Sequence, residues 1–314
     1  AALSVSTNDV SKTYDGTTSA AGTAVAVGGT QLYGSDSLSG GSFAFADKHA
    51  GTGKTVTVSG VTVNDGNGGN NYTVSYVDNT GSSITPAPLT VTANDDGKVY
   101  DGNAYSGGNG VTYSGFVVGE GESELSGTLA YGGSSQGAVN VGSYAITPSG
   151  LTAANYDVSY ADGALTIDPA LLAISGNLVG SVTKTYDGTD VATLAPGNFE
   201  LTGWVGSDGA DVTKTTGTYD DPNAGTGKTV TVTLDAGDYN PTGGTDLGNY
   251  VLPTSISGNV GTIDKVQATV TANSATVTYN GAAQSVTGFT ASGLIAGEDE
   301  SVLTGVSTSG GAGT

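Results

Sequence analysis

The chain has 314 residues, 8 Lys plus Arg against 29 Asp plus Glu, a formal net charge of −21 at pH 7, 53 Gly and no Cys. So acidic a surface lacks the basic side chains that bind nucleic acid or an anionic bilayer, and a chain without Cys forms neither disulfides nor thiolate metal sites. With 12% charged residues, 16 Tyr, and Val and Thr set between Gly turns, the composition is all-β, and cations or neutral polar ligands such as sugars are its natural partners.

Residues 1–10, AALSVSTNDV, have neither the basic region nor the apolar core of a signal peptide, and no Met, so an internal piece of a longer protein is expected. In KTYDG (Lys12–Gly16), Val10, Lys12 and Tyr14 alternate on one strand face, and the Asp-Gly that follows predicts a type I′ hairpin turn. AGTGKTVTV, from Ala50 to Val58, contains Gly-Lys-Thr and returns letter for letter from Ala224 to Val232. A phosphate-binding loop needs a Gly five positions before Gly53 or Gly227 and a helix afterwards. Lys48 and Pro222 stand there and a Thr-Val strand follows, so the segment is copied structure rather than a nucleotide site. NNYTVSY (Asn70–Tyr76) alternates as a strand, and SSITPAPLTVTA (Ser82–Ala93) closes one unit and opens the next.

These markers recur in order. KTYDG returns as KVYDG (Lys98–Gly102), KTYDG (Lys184–Gly188) and VTYNG (Val277–Gly281), with the Tyr residues 86, 86 and 93 positions apart. NNYTVSY returns as ANYDVSY (Ala154–Tyr160) and GNYVL (Gly248–Leu252), and the closing strand as ALTIDPALLAIS (Ala164–Ser175) and GTIDKVQATVTA (Gly261–Ala272). The apolar run around Ala170–Ile174 is too short to cross a bilayer, and no membrane insertion is expected. The units run 1–87, 88–170, 171–266 and 267–314, the last without an Asn-Tyr or closing strand. Each is large enough for its own core, which predicts beads joined by short hinges at Pro86–Pro88, Asp168–Ala170 and Asp264–Val266. GFVVGEGESELSG (Gly115–Gly127) aligns with GLIAGEDESVLTG (Gly293–Gly305) and loosely with Leu32–Gly40 and Gly203–Lys214, and predicts one short helical turn per unit.

The single His, His49, fills a turn slot held by Asn140 and Asn223 in other units, so no proton-shuttling triad is expected and the chain reads as a non-enzyme. Calcium is the one cofactor the loops suggest, with Asp65, Asp95, Asp96, Asp220 and Asp221 as candidate ligands in Asp/Asn/Gly-rich stretches that match no known calcium loop. The recurring motif consists of Tyr14, Asp15, Gly16, Tyr100, Asp101, Gly102, Tyr186, Asp187, Gly188, Tyr279, Asn280 and Gly281. Its four Tyr share a face with apolar residues, so they are expected in the core.

With its KTYDG, GTGKTVTV, Asn-Tyr and closing Ile-Thr-Pro or Ile-Asp-Pro markers, the whole chain resembles the YDG and MBG (mostly-β-grasp) repeats of bacterial surface adhesins of the filamentous-haemagglutinin type. Units one and three are YDG-like, units two and four closer to MBG, with Asn280 for Asp and no Lys in the fourth. The resemblance implies a mostly β tandem array of small β-grasp-like domains forming an elongated rod. It also implies an extracellular location on the bacterial surface and a stalk that presents an adhesive tip for attachment or biofilm. The partners are then neighbouring repeats. Two other readings stand beside it: a module whose loop tips bind cell-surface or matrix polysaccharide, and a filament subunit whose fourth unit is completed by strand exchange.

Overall fold

Val, Leu and Ile alternating with Thr and Ser give strands with one buried face, and Gly between them gives tight turns. The computed structural model describes residues 1–171 and 177–308. About half of the chain, 49%, is strand, and the helical content is confined to three-residue 3-10 turns among the described residues. The stretch 172–176, expected within the strand that opens the third repeat, lies outside the described residues, as does 309–314 of the fourth. Two compact units form, Ala1–Asp168 and Pro169–Thr314.

In the first unit, repeat 1 contributes β1 (Ala2–Thr7), β2 (Ser11–Thr13), β3 (Ala24–Val27), β4 (Ser37–Phe45), β5 (Gly51–Asn64), β6 (Thr73–Tyr76) and β7 (Asn79–Thr85). They form a three-stranded sheet, β3–β1–β6, and a four-stranded sheet, β2–β7–β5–β4. Repeat 2 copies this strand for strand with β8 (Ala87–Ala93), β9 (Asp96–Val99), β10 (Val111–Ser114), β11 (Leu125–Gly132), β12 (Gly142–Ala153), β13 (Tyr156–Ala161) and β14 (Gly163–Asp168), in sheets β10–β8–β13 and β9–β14–β12–β11. In each three-stranded sheet the Asn-Tyr strand runs parallel to the first strand, Leu3 opposite Val74 and Leu89 opposite Val158. Burial follows the period of two: Ala87, Leu89, Val91 and Ala93 are buried along β8, and Leu165 and Ile167 along β14. Each fully buried Leu or Val stabilises the sheet pair by about 1.5–3 kcal/mol.

One cluster, Leu3, Val5, Val58, Val63 and Tyr72, belongs to repeat 1 alone. A second joins Val10, Tyr14, Phe45, Val56 and Ile84 of repeat 1, with Ala87 at the boundary, to Leu89 and Tyr156 of repeat 2. Repeat 1 thus has a core of its own and shares a second one with repeat 2. Only Pro86 separates β7 from β8, so apolar side chains on both sides of the junction close one core.

The second unit continues with β15 (Ala170–Leu171), β16 (Asn177–Leu178), β17 (Val182–Thr185), β18 (Val191–Thr193), β19 (Phe199–Glu200), β20 (Gly209–Val212), β21 (Thr216–Tyr219), β22 (Gly225–Thr233), β23 (Tyr239–Thr242), β24 (Tyr250–Val251) and β25 (Ser255–Asp264). The frame of repeat 1 persists: β15 is parallel to β24, β17 parallel to β25, and β22 antiparallel to β25. Its core is built around Leu178, Val182, Leu194, Val230, Val232, Ile256 and Ile263. Repeat 4 follows with β26 (Thr269–Ala272) paired antiparallel to β27 (Phe289–Ser292).

Two local expectations are revised. Gly16, Gly102, Gly188 and Gly281 all have φ near +75°, but no other residue type among the described residues has positive φ, so the Tyr-Asp-Gly turn is not type I′. Its geometry is set by a lysine clasp instead. Lys12 Nζ donates to Asp15 Oδ1 at 2.7 Å and to Thr17 O at 2.7 Å, and Thr17 N donates to Asp15 Oδ1 at 2.9 Å. Lys98 with Asp101 and Lys184 with Asp187 repeat it. The expected helical turn forms at Glu122–Glu124 and Glu300–Val302, while Leu32–Gly40 and Gly203–Lys214 carry turns and strand, having no acid-led run of apolar residues to nucleate one.

The duplicated AGTGKTVTV is a bulged strand. Gly53 (φ 64°) and Gly227 (φ 69°) mark places where the ladder slips, between Thr52 and Lys54 and between Thr226 and Lys228. Each Lys of Gly-Lys-Thr pairs with acids of its own repeat, Lys54 with Asp47, and Lys228 with Asp220 at 3.1 Å and Asp221 at 2.8 Å.

Candidate functional site

A polar cluster lies where repeat 1 meets repeat 2. Tyr14 leaves β2 with its N–H donating to Thr85 O at 2.8 Å, which fixes the ring against the end of β7. Its hydroxyl donates across the junction to Glu120 Oε1 at 2.6 Å. Glu120 sits on the loop after β10, where its N–H donates to Val117 O at 2.9 Å. Its other oxygen accepts from Tyr156 at the start of β13, and Lys48 Nζ stands 3.0 Å from Oε1. Rings enclose the carboxylate: Tyr14 and Tyr156 pack edge to face at 5.6 Å, and Phe116 and Tyr156 at 5.4 Å.

Asn155 seals the backbone side of the cluster. Ala50 N donates to its Oδ1 at 3.1 Å, Ala87 N donates to its carbonyl at 2.9 Å, and its Nδ2 lies 3.3 Å from His49 Nδ1. Burial by itself would raise the Glu120 pKa, but hydrogen bonds from Tyr14, Tyr156 and Lys48 outweigh it and hold the group below the usual carboxylate value. The phenols move the other way. Burial and then the Glu120 carboxylate raise Tyr14 and push Tyr156 up to about 12. A carboxylate held ionised by two phenols and an ammonium, all from different strands and loops, is a cross-link between repeats.

The second unit repeats half of this arrangement between repeats 3 and 4. Tyr186 N donates to Asp264 O at 2.8 Å and its hydroxyl to Glu298 Oε1 at 2.6 Å. The Gly of the motif permits the approach: a Cβ on Gly16 would lie 3.1 Å from Val117, and one on Gly188 2.7 Å from Ile295, each on the loop that carries the Glu.

The motif Tyr residues therefore differ in environment. Tyr14 and Tyr100 are buried, Tyr186 is half-buried, and Tyr279 is 79% exposed, contrary to its expected core position. Tyr14, Tyr100 and Tyr186 each donate their backbone N–H to the closing strand of their own repeat, at Thr85, Asp168 and Asp264, and repeat 4 has no such strand among the described residues. Asp15, Asp101 and Asp187 serve the lysine clasps, and Asn280 Oδ1 accepts from Ala282 N at 3.0 Å.

The candidate calcium ligands are engaged within their own loops and strands. Asp65 accepts from the N–H groups of Asn67, Gly69 and Asn71, Asp95 from Ala164 N, and Asp96 from Gly97 N and the Tyr105 hydroxyl. Asp220 and Asp221 hold Lys228. Among the described residues no three His, Cys, Asp or Glu side chains come together as a metal site. Sequence reasoning missed Glu120, Glu298, Lys48 and Asn155. The available signal was the Gly-Glu shared by GFVVGE and GLIAGE and the Asn before the second Tyr.

Twin-sheet β repeats in tandem, with a Tyr–Glu contact between the repeats of each unit, define a mostly β repeat protein. The YDG domain family model matches residues 1–80 and 169–258, more than half of the chain, and the chain belongs to that family. The MBG domain (YGX type) model matches residues 89–166 between them. No curated protein matches the sequence.

Proposed function

We propose that the chain is a stalk segment of a secreted bacterial surface adhesin, whose repeats are one another's partners and whose work is to carry an adhesive tip away from the cell. The family supports a surface or adhesin-like protein. The observation that carries the stalk role is the junction: the buried polar groups between repeats 1 and 2 are consumed in binding one repeat to the next. A spacer under tension needs such locks, and a recognition surface would leave them open to ligand. The stalk role proposed here does not require calcium.

Two measurements on the purified 314-residue chain and its source cells test it. Antibodies raised against the chain are expected to label intact cells, and the chain itself to show no saturable binding on a glycan array. Saturable binding to a polysaccharide would replace the stalk with the binding module. Labelling seen only after cell lysis would overturn the surface location.

A further inference from the structure

We infer that the Asp168–Pro169 peptide bond is a self-cleaving site, at which the Asp168 side chain, in mild acid, cuts its own main chain and leaves Pro169 as a new N-terminus. Such a bond is independent of the stalk role and lies at a place in the fold that three repeats share.

The closing strands end alike, on Ile84-Thr85-Pro86, Ile167-Asp168-Pro169 and Ile263-Asp264-Lys265. Each Ile is buried, and the carbonyl of the residue after it accepts the N–H of the motif Tyr at 2.8 Å: Thr85 from Tyr14, Asp168 from Tyr100 and Asp264 from Tyr186. An N–H fixed on a carbonyl oxygen stabilises the negative charge that gathers there when the carbon is attacked. All three carbonyls have this donor, but their neighbours differ. Thr85 has no carboxyl to attack with, and the nitrogen after Asp264 is an ordinary secondary amide. Of the three, Asp168 alone combines a carboxyl on the attacking residue with the tertiary amide of a Pro as leaving group.

In the step itself, a carboxyl oxygen of Asp168 bonds to the carbon of its own main-chain carbonyl. The bond from that carbon to Pro169 N breaks, and the carboxyl proton passes to the departing nitrogen. Water then opens the resulting cyclic anhydride to a C-terminal Asp168. A single methylene joins the carboxyl to the backbone, so the attack is intramolecular and gains the advantage of proximity. Because Pro has no N–H, ring closure by the following nitrogen, open to an Asp before Gly, is closed to this residue. Asp168 is exposed at the end of β14, and among the described residues its carboxylate has no hydrogen-bond or ion-pair partner to hold it away.

The chain contains one other Asp-Pro bond, Asp221–Pro222, and the fold disarms it. Asp221 Oδ1 accepts from Asn223 N at 2.7 Å, and Oδ2 lies 2.8 Å from Nζ of the buried Lys228. Both oxygens are engaged. The hydrogen bond from Lys228, and after it the one from Asn223 N, hold Asp221 below the usual carboxylate value, so it lacks the proton that the leaving nitrogen needs.

To test this, the full chain is incubated at about pH 4, where carboxylates without a partner begin to take up protons, and at about pH 7. Denaturing electrophoresis and intact mass follow the products. Fragments 1–168 and 169–314, which divide the chain between its two compact units, are expected at the lower pH and at a rate independent of chain concentration. The bond after Asp168 should be cut at least about tenfold faster than the bond after Asp221. Asp168→Ala and Pro169→Ala should each remove the first cut, and Lys228→Met should add the second. In concentrated urea at the same pH the two bonds should be cut at similar rates, since the ion pair that protects Asp221 is lost with the fold. That comparison uses the unaltered chain, so it decides even where a substitution disturbs folding. Absence of fragments at about pH 4, equal rates at the two bonds in the folded chain, a cut that persists in Asp168→Ala, or a preference that survives in urea would each overturn the inference.

Discussion

Glu120 is a small part of the chain with an outsized share of the junction, because three donors from two repeats converge on it. Glu120→Ala leaves two largely buried phenols without their acceptor and should destabilise the first unit by about 2–4 kcal/mol. Glu122→Ala, two residues on and exposed, should stay within about 0.5 kcal/mol. Denaturant unfolding of the full chain with each substitution checks the contrast. The motif Tyr residues give a second one. Tyr14→Ala removes a ring enclosed by Phe45, Ile84 and Tyr156 and should cost about 3–5 kcal/mol, whereas Tyr279→Ala, at 79% exposure, should cost less than about 0.5 kcal/mol. Equal losses at the two positions would mean that Tyr279 is enclosed in solution.

Among the elements, the bulged strand β22 allows a clean test of backbone conformation. At Gly227 nothing lies within 4 Å of where a Cβ would stand, so Gly227→Ala meets no clash and pays only for positive φ, about 1–2 kcal/mol in the same unfolding assay. The acidic loops test calcium: with Asp65, Asp95 and Asp96 already accepting from N–H groups, a chelator should move the melting temperature by less than about 2 °C. A shift of tens of degrees would show those loops to be metal-bound in solution.

Strand identity and repeat order were legible because period-two alternation, as in Leu89-Thr90-Val91, is local information. The turn after Tyr14 was not, because Asp-Gly specifies a hairpin only when no side chain competes. Here the Lys12 ammonium binds Asp15 and Thr17 and β2 pairs with distant β7. The junction was illegible for a related reason: Tyr14 and Glu120 are 106 residues apart, and a contact of that separation leaves no periodic trace in either segment.

At the scale of the whole molecule, titration brackets the stable range. Hydrogen bonds from Lys12 and Lys184 hold Asp15 and Asp187 down to about 2. A depressed carboxylate contributes stability above its unfolded pKa near 3.9 and loses it as pH falls toward the folded value. Tyr105, Tyr156 and Tyr239 are pushed up to about 12, chiefly by burial, with Asp96, Glu120 and Asp238 adding to it. Their contribution is complete below the unfolded pKa near 10 and is lost as pH rises from there to about 12. The melting temperature should therefore hold a plateau from about pH 5 to 9 and fall at both ends, through the windows of about 4 to 2 and about 10 to 12. A steady decline between about pH 7 and 5 would point to a group outside these sets.

The contact between Tyr14 and Glu120 also bears on how such a gene can change in length. Tyr14 stands in one repeat and Glu120 in the next, and Tyr186 and Glu298 are divided in the same way. Duplicating or deleting a repeat with the neighbour that follows it carries both halves of the lock together. Copying one repeat alone would separate Tyr14 from Glu120, or Tyr186 from Glu298, so the Tyr–Glu lock is kept whole only when two successive repeats are copied together.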